Sequence, residues 1–201
     1  MEKSLQVGYL NGFLEVLGKT ILHDTLSDCK RAEILQDGQI CVSDALPPSF
    51  FLDMDNLLRA EYGMLGSRGI AYVAGKIAFK YYKDSMDIFV ERGKIENRLL
   101  PFGEKISVAL QEFFAKLKQI EVADLAPIRK AQEDSWVVQG RLRLPKGNMF
   151  QTGDQYFLIG MLVSMLEWLD SRHSFGVQQN GTAAAIQAGK VELYIKVKRF
   201  E

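Results

Sequence analysis

Histidine and cysteine are nearly absent from this chain, with two of each in 201 residues. The cysteines, Cys29 and Cys41, match no metal-ligand spacing, and nothing marks the sequence for an oxidising compartment in which they would be joined. The histidines, His23 and His173, lack the Cys, Asp or Glu neighbours of a metal site or a catalytic triad. The carboxylates are scattered over the expected helix surfaces, and no pair stands out as an acid–base couple. No sign of charge dominates: 25 Lys and Arg balance 25 Asp and Glu. That balance removes the main electrostatic reason to expect a nucleic-acid partner. The short basic stretches GRLRLPKG and KVKRF are expected to be solvated strand faces. Long apolar runs are missing too. The longest, YFLIGMLVSML at 156–166, ends at Glu167 and falls short of the roughly 20 residues that span a bilayer. The opening, MEKSLQVGYLNGF, has neither the basic start nor the continuous apolar core of a signal peptide. A cytoplasmic protein is expected, with peripheral contact at a membrane left open.

Hydrophobic residues make up 47% of the chain and charged residues 25%, the composition of a globular domain with a substantial core. Leu10, Phe13, Leu14, Leu17 and Ile21 share one face of a helix over 9–26. AEILQDGQICVSD reads as a short hairpin closed by Pro47 and Pro48. A helix follows from Asp53 to Gly63, and a second from about Ser67 to Lys83. Residues 103–120 are amphipathic, with Ile106, Leu110, Phe113, Phe114, Leu117 and Ile120 on one face. Strand character begins after Pro127 with SWVVQGRLRL, and the chain closes on SFGVQQN, a weak AAAIQAG and the alternating KVELYIKVKRF. Between these lies a helix to about Asp170, opened by a capping box of Thr152 and Gln155. The fold class expected is α+β: N-terminal helices packed on an antiparallel sheet with one long apolar helix. Residues 1–48 form an N-terminal helix-and-hairpin elaboration and 49–201 the main domain, the two making one compact unit.

EYGMLGSRGIAYVAGKIAFKYY, residues 61–82, is rich in glycine yet fails as a phosphate loop. Its G-x-x-G-x-x-G spacing is not the dinucleotide fingerprint, and Gly75-Lys76 is followed by Ile77 where a P-loop needs Ser or Thr. Gly63 and Gly66 instead suit a tight reversal between two helices. Ala71, Ala74, Gly75 and Ala78 then form a stripe of small residues that invites the close approach of another helix, or of a bulky flat ligand. The segment after Thr152 raises a related question. Between Tyr156 and Leu169 only Ser164 and Glu167 are polar, and a helix apolar on every side must be covered on every side. The sheet covers one face; the others need the N-terminal helices, a subunit partner or a bound apolar molecule. Met161 and Met165 are one turn apart and adapt to irregular shapes, with core packing the commoner use of such residues.

YGMLGSRGIAYVAGKIAF and QYFLIGMLVSMLEWLDSRHSFGVQQNGTAAAIQAGKVELYIKV, taken in that order, resemble the 4-vinyl-reductase or hydrocarbon-binding domain family over about residues 50–198. That family is related in fold to transport-particle (TRAPP) subunits and more distantly to haem nitric-oxide-binding domains. The resemblance implies a small-molecule-binding or scaffold domain, commonly dimeric, with an apolar cavity between helices and sheet. Cysteines that many members carry, some for metal, align with Gln155, Ala185 and Leu193, and an acid common before the second of them aligns with Thr182. No metal site is therefore expected. Nor is a vinyl reductase favoured, because no hydride-carrier motif is present. The chain looks most like cysteine-poor cyanobacterial members linked to photosystem II assembly.

The function expected is non-enzymatic binding of an apolar molecule: a tetrapyrrole or chlorophyll precursor, an isoprenoid or an acyl chain. Tyr72, Phe79, Phe113, Phe157, Met161, Met165 and Trp168 would line its pocket, with Arg68 or Lys76 meeting a carboxylate at the mouth. No catalytic residue and no resident cofactor beyond such a tetrapyrrole or lipid is expected. If either histidine ligated haem iron, His23 would be the better candidate. A homodimer is expected, with membrane pigment–protein assembly intermediates as further partners and a thylakoid surface as the membrane. The alternative is a ligand-free dimeric assembly adaptor whose apolar helix is buried by its partner; a tetrapyrrole vinyl reductase comes third.

Overall fold

Two glycines bend the two long N-terminal helices. The structure, a computed structural model, describes residues 3–85, 100–130, 135–144 and 147–198. Helix α1 spans Lys3–Asp28 and helix α2 Pro48–Ser85; Gly18 (φ 77°) interrupts the first and Gly63 (φ 69°) the second. Positive φ at these positions carries no Cβ penalty. The bend at Gly18 resets the buried face of α1: Leu22 and Leu26 turn inward, while Ile21, expected on the apolar face, stands 45% exposed. The tight reversal expected at Gly63 and Gly66 is a single bend. Only Gly63 leaves helical geometry, and α2 begins at Pro48 rather than Asp53. Proline suits a helix start because its missing N–H would be unpaired there in any case.

Between these helices, β1 (Leu35–Gln36) pairs with β2 (Gln39–Ile40). Asp37 (φ 51°) and Gly38 (φ 83°) supply the two left-handed residues of a two-residue hairpin turn. Helix α3 (Phe102–Gln119) buries Ile106, Leu110, Phe113, Phe114 and Leu117, the face its periodicity marks out, and packs on the neighbouring strand. That strand, β3 (Ala123–Lys130), begins before Pro127, where the sequence shows no strand pattern. It lies at a sheet edge, where proline's missing donor is tolerated. With β4 (Ser135–Leu142), β5 (Ser174–Gln179) and β6 (Lys190–Lys198) it forms an antiparallel sheet of order β3-β4-β6-β5. Trp136 and Val138 on β4 face Ile195 and Leu193 on β6, all four fully buried. Pro145 and Lys146 of GRLRLPKG, and Arg199 and Phe200 of KVKRF, lie outside the described residues.

Helix α4 (Tyr156–Leu169) is apolar but not long: 14 residues, against 26 for α1 and 38 for α2. The expected capping box does not form. Thr152 directs its hydroxyl to Tyr9 Oη at 2.9 Å, and Gln155 stands at the helix start in left-handed geometry, φ 72°. The cover of α4 comes from within the chain. A Cβ added at Gly75 would strike the carbonyl of Phe157, and one added at Gly160 the carbonyl of Tyr72, so α2 and α4 meet backbone to backbone. Gly12 of α1 meets the carbonyl of Ala74 in the same way. The small-residue stripe therefore serves helix packing. Tyr9 and Phe13 lie over Phe157 at ring-centroid distances of 4.9 and 6.0 Å, joining α1 to the same core. A short helix, α5 (Ala183–Gln187), follows β5 and is capped by the Thr182 hydroxyl accepting from the Ala185 N–H. Among the described residues no helix is long and apolar enough to cross a membrane.

Candidate functional site

The turn 147–155, which leads from β4 into α4, is held from three directions. Asn148 donates to the carbonyls of Val122 and Arg143 at 2.7 and 2.8 Å and accepts from the Phe150 N–H. Gln151 and Gln155 donate to the carbonyls of Ile186 and Lys190, each at 2.8 Å, tying the turn to α5 and β6. Gln179 of β5 donates to the Asp154 carbonyl at 3.0 Å. The backbone needs this support. Gly153, Asp154 and Gln155 all have positive φ (62°, 55° and 72°), and left-handed geometry costs a non-glycine residue about 1–2 kcal/mol.

From α2 comes a charge network. Arg59 donates through Nε to Asp55 Oδ2 at 2.8 Å and through Nη2 to Asp154 Oδ1 at 2.7 Å. Arg68 donates through Nε and Nη2 to Asp154 Oδ2 at 3.0 and 2.7 Å, and its guanidinium lies 5.6 Å from the Tyr156 ring centre. Asp55 Oδ1 accepts the Gly153 N–H at 2.7 Å. The two carboxylates respond differently to this setting. Burial pushes Asp55 above its ordinary value despite the opposing Gly153 N–H and Arg59. Burial also pushes Asp154 upward, but its bonds to Arg59 and Arg68 outweigh that and leave it below its ordinary value. On the Arg59 guanidinium burial acts downward, and the two carboxylates outweigh it.

A half-open cavity of about 290 Å³ lies between the first half of α2 and this turn, with Phe51, Leu52, Asn56, Arg59, Gln151 and Gln187 in its walls. Several polar groups there are unspent. Among the described residues Arg59 Nη1 and the side-chain amides of Asn56 and Gln187 have no protein partner, and Gln151 Oε1 is buried without a donor. A broader groove of about 590 Å³ adjoins it through Gly147 and Asn148, running past Gln6, Leu46 and Val122. Only the smaller cavity has both charged carboxylates in its wall.

The residues expected to form a pocket lie elsewhere. Phe79, Phe113, Phe157, Met161 and Met165 are buried in the core, and Tyr72 and Trp168 pack against it half-buried. Phe79 and Trp168 meet edge to face at 6.2 Å, and Phe113 packs on Phe114 at 5.3 Å on α3. Arg68 is spent on Asp154, and Lys76 donates to Glu167 Oε2 at 3.0 Å. His23 is half-exposed beside Asp24 on the outer half of α1. His173 lies tilted against Phe102 at a ring-centroid distance of 4.4 Å, its Nδ1 3.5 Å from Asp170. Asp55, Arg59, Gln151 and Asp154 escaped the sequence reading. The i,i+4 spacing of Asp55 and Arg59 was a usable signal; the pairing of Arg59 with Asp154, 95 positions away, was not.

No family model matches the sequence, and no curated protein matches it. Solved structures do. An Fe(II) unliganded H-NOX protein mutant from K. algicida superposes with a TM-score of 0.65 at 13% identity, covering 99% of this chain and 97% of its own. The chain has the H-NOX fold. A structure from work on haem distortion in the H-NOX family gives 0.66 at 12% identity, covering 100% and 98% of the two chains. An oxygen-binding H-NOX domain related to soluble guanylate cyclases, in its oxygen complex, gives 0.62 at 10%, again covering 100% and 98%. These neighbours overturn the resemblance to the 4-vinyl-reductase family, to TRAPP subunits and to photosystem II assembly proteins. The H-NOX fold matches the whole chain, including the first 48 residues that the supposed resemblance left out.

Proposed function

We propose that the chain is a non-enzymatic small-molecule-binding module on the H-NOX fold, and that its ligand is not a histidine-held haem. One observation carries the binding role: a cavity whose walls are locked by ion pairs spanning α2 and the 147–155 turn, with open hydrogen-bonding groups. Haem, which belongs to the neighbours, meets poor chemistry in this chain. Iron in such sites is held by histidine, thiolate, methionine or tyrosinate. His23 faces solvent and His173 is turned to Asp170 and Phe102. Burial, with Asp53 and Asp28 nearby, pushes the Cys29 thiol up to about 11, which works against the thiolate that iron would need. Tyr9 and Tyr82 are pushed well above their ordinary value by burial, and their hydroxyls bond to Thr152 and to the Leu5 carbonyl.

Native mass spectrometry of the gently purified full chain, with a haem titration followed by absorption, tests both halves. A small non-haem adduct and no sharp one-to-one Soret band are expected. A stoichiometric haem complex would sink the haem-free half, and a chain that takes up nothing would sink the binding role. A second reading, the adaptor, is favoured by Met64 and Leu65, which stand exposed (Leu65 by 80%) just after the bend at Gly63. Light scattering on wild type and Leu65→Glu separates the two: a dimer lost in the variant supports the adaptor, a monomer in both removes it.

A further inference from the structure

We infer that the α2 cavity takes an uncharged ligand with a hydrogen-bond donor beside an acceptor, the amide-type edge of an aromatic carboxamide or a nucleobase. This rests on the binding role proposed above and adds the chemistry of the ligand.

Charge decides the first part. Two carboxylates in the wall, Asp55 and Asp154, are paired with Arg59 in the wall and with Arg68 outside it, so the network is neutral as a whole and neither carboxylate is left without a cation. An anion approaching the open Nη1 edge of Arg59 meets two carboxylates already within 2.8 Å of that guanidinium. A cation approaching either carboxylate meets Arg59 in turn. Bringing an ion into a half-buried site without a partner of its own costs more than bringing in a neutral polar group.

The unspent groups decide the second part. Arg59 Nη1 offers donors only, and the amides of Asn56 and Gln187, both exposed residues in the cavity wall, each offer a donor and an acceptor. An amide side chain pairs best with an edge that is its own complement, one donor next to one acceptor, as when Asn or Gln reads adenine. Phe51 and Leu52 supply apolar wall for the rest of the molecule. A volume of about 290 Å³ lies at the small end for ligand pockets, which suits one ring system with its substituent.

Three compounds of one shape separate the charge states: benzamide (neutral), benzoate (anion) and benzamidine (cation). With the full chain, side-chain amide resonances of Asn56, Gln151 and Gln187 are followed by NMR during titration with each, and with nicotinamide and adenine. Benzamide and nicotinamide are expected to saturate, moving those resonances, with Kd values at least about tenfold below those of benzoate and benzamidine. Asn56→Ala and Gln187→Ala remove amides that hold no protein bond among the described residues, so both should fold as wild type while weakening benzamide about five- to tenfold. Tighter binding of benzoate or benzamidine at the same resonances would overturn the ligand class and leave the binding role standing. Benzamide affinity unchanged in both variants would overturn the site. No saturation by any probe, with no ligand on the natively purified chain, would overturn class and role together.

Discussion

Asp154 joins more of this molecule than its position in a turn suggests. One carboxylate accepts from two arginines of α2, while its carbonyl accepts from β5. Asp154→Asn keeps a residue that tolerates left-handed geometry but removes the charge, leaving both guanidiniums short of a partner. Both arginines keep partial solvent access, so the cost is expected near 2 kcal/mol in urea denaturation at neutral pH, below that of a fully buried pair. The acid limb follows from the same chemistry. Asp154 lies below its ordinary value, and Asp170, held by Arg172 against the opposing effect of burial, falls from 3.8 to about 2. A depressed carboxylate contributes stability above its unfolded value and loses it as pH falls through the folded one. Asp55, raised by burial, has the opposite sign and favours the folded state slightly on the way down. Stability is expected to drop between about pH 4 and pH 2, and Asp170→Asn to flatten that drop. Chemical denaturation at several pH values checks both. An acid limb unchanged in the variant would remove Asp170 from the account.

At the level of elements, one glycine-rich stretch contains positions of opposite consequence. Gly75 and Gly160 sit where α2 and α4 touch through their backbones, whereas Gly69 is exposed with nothing within 4 Å of an added Cβ. Alanine gains about 1 kcal/mol of helix propensity at each, but at the two contact positions overpacking of about 1–3 kcal/mol or more opposes it. Thermal melts should show Gly69→Ala stabilised and Gly75→Ala and Gly160→Ala destabilised. Equal behaviour of all three would mean the helices do not touch as described. The stripe Ala71, Ala74, Gly75, Ala78 was legible as a close-approach surface; which helix approaches was not, because nothing local to α2 names α4. The same limit explains other departures. Thr152 and Gln155 have the spacing of a capping box, but Tyr9 from the far end of the chain takes the threonine hydroxyl. Pro127 reads as a break because local sequence does not tell an edge strand from a central one.

Across the whole molecule, the question posed by an all-apolar helix is answered by its neighbours in the chain. α2 covers one side of α4 at backbone distance, and Tyr9 and Phe13 of α1 lie over Phe157. The pocket expected among Phe79, Phe157, Met161, Met165 and Trp168 becomes a question of whether that interior opens. Met161→Trp tests it. In a closed core the added volume costs about 1–3 kcal/mol, while a site able to open accepts the ring without loss, as read in a denaturation midpoint. The α+β class, the closing strands and α3 were legible from periodicity. The family was not. At 13% identity or less these H-NOX structures share too little sequence with the chain to mark their fold, and an apolar helix followed by strands resembles the 4-vinyl-reductase pattern as readily.

The bend at Gly63 gives α2 two lifetimes. Residues before it border the cavity, whereas those around Tyr72–Phe79 lie against α1 and α4. Backbone amides on the inner side are shielded from water by carbonyls of other helices, so their deuterium uptake waits for global unfolding. On the outer side, the exposed bend at Gly63, where an added Cβ would meet nothing within 4 Å, gives local opening a place to begin. Exchange mass spectrometry of the full chain should therefore find a boundary inside one helix, near residue 63, and binding at the cavity should slow uptake only on its N-terminal side.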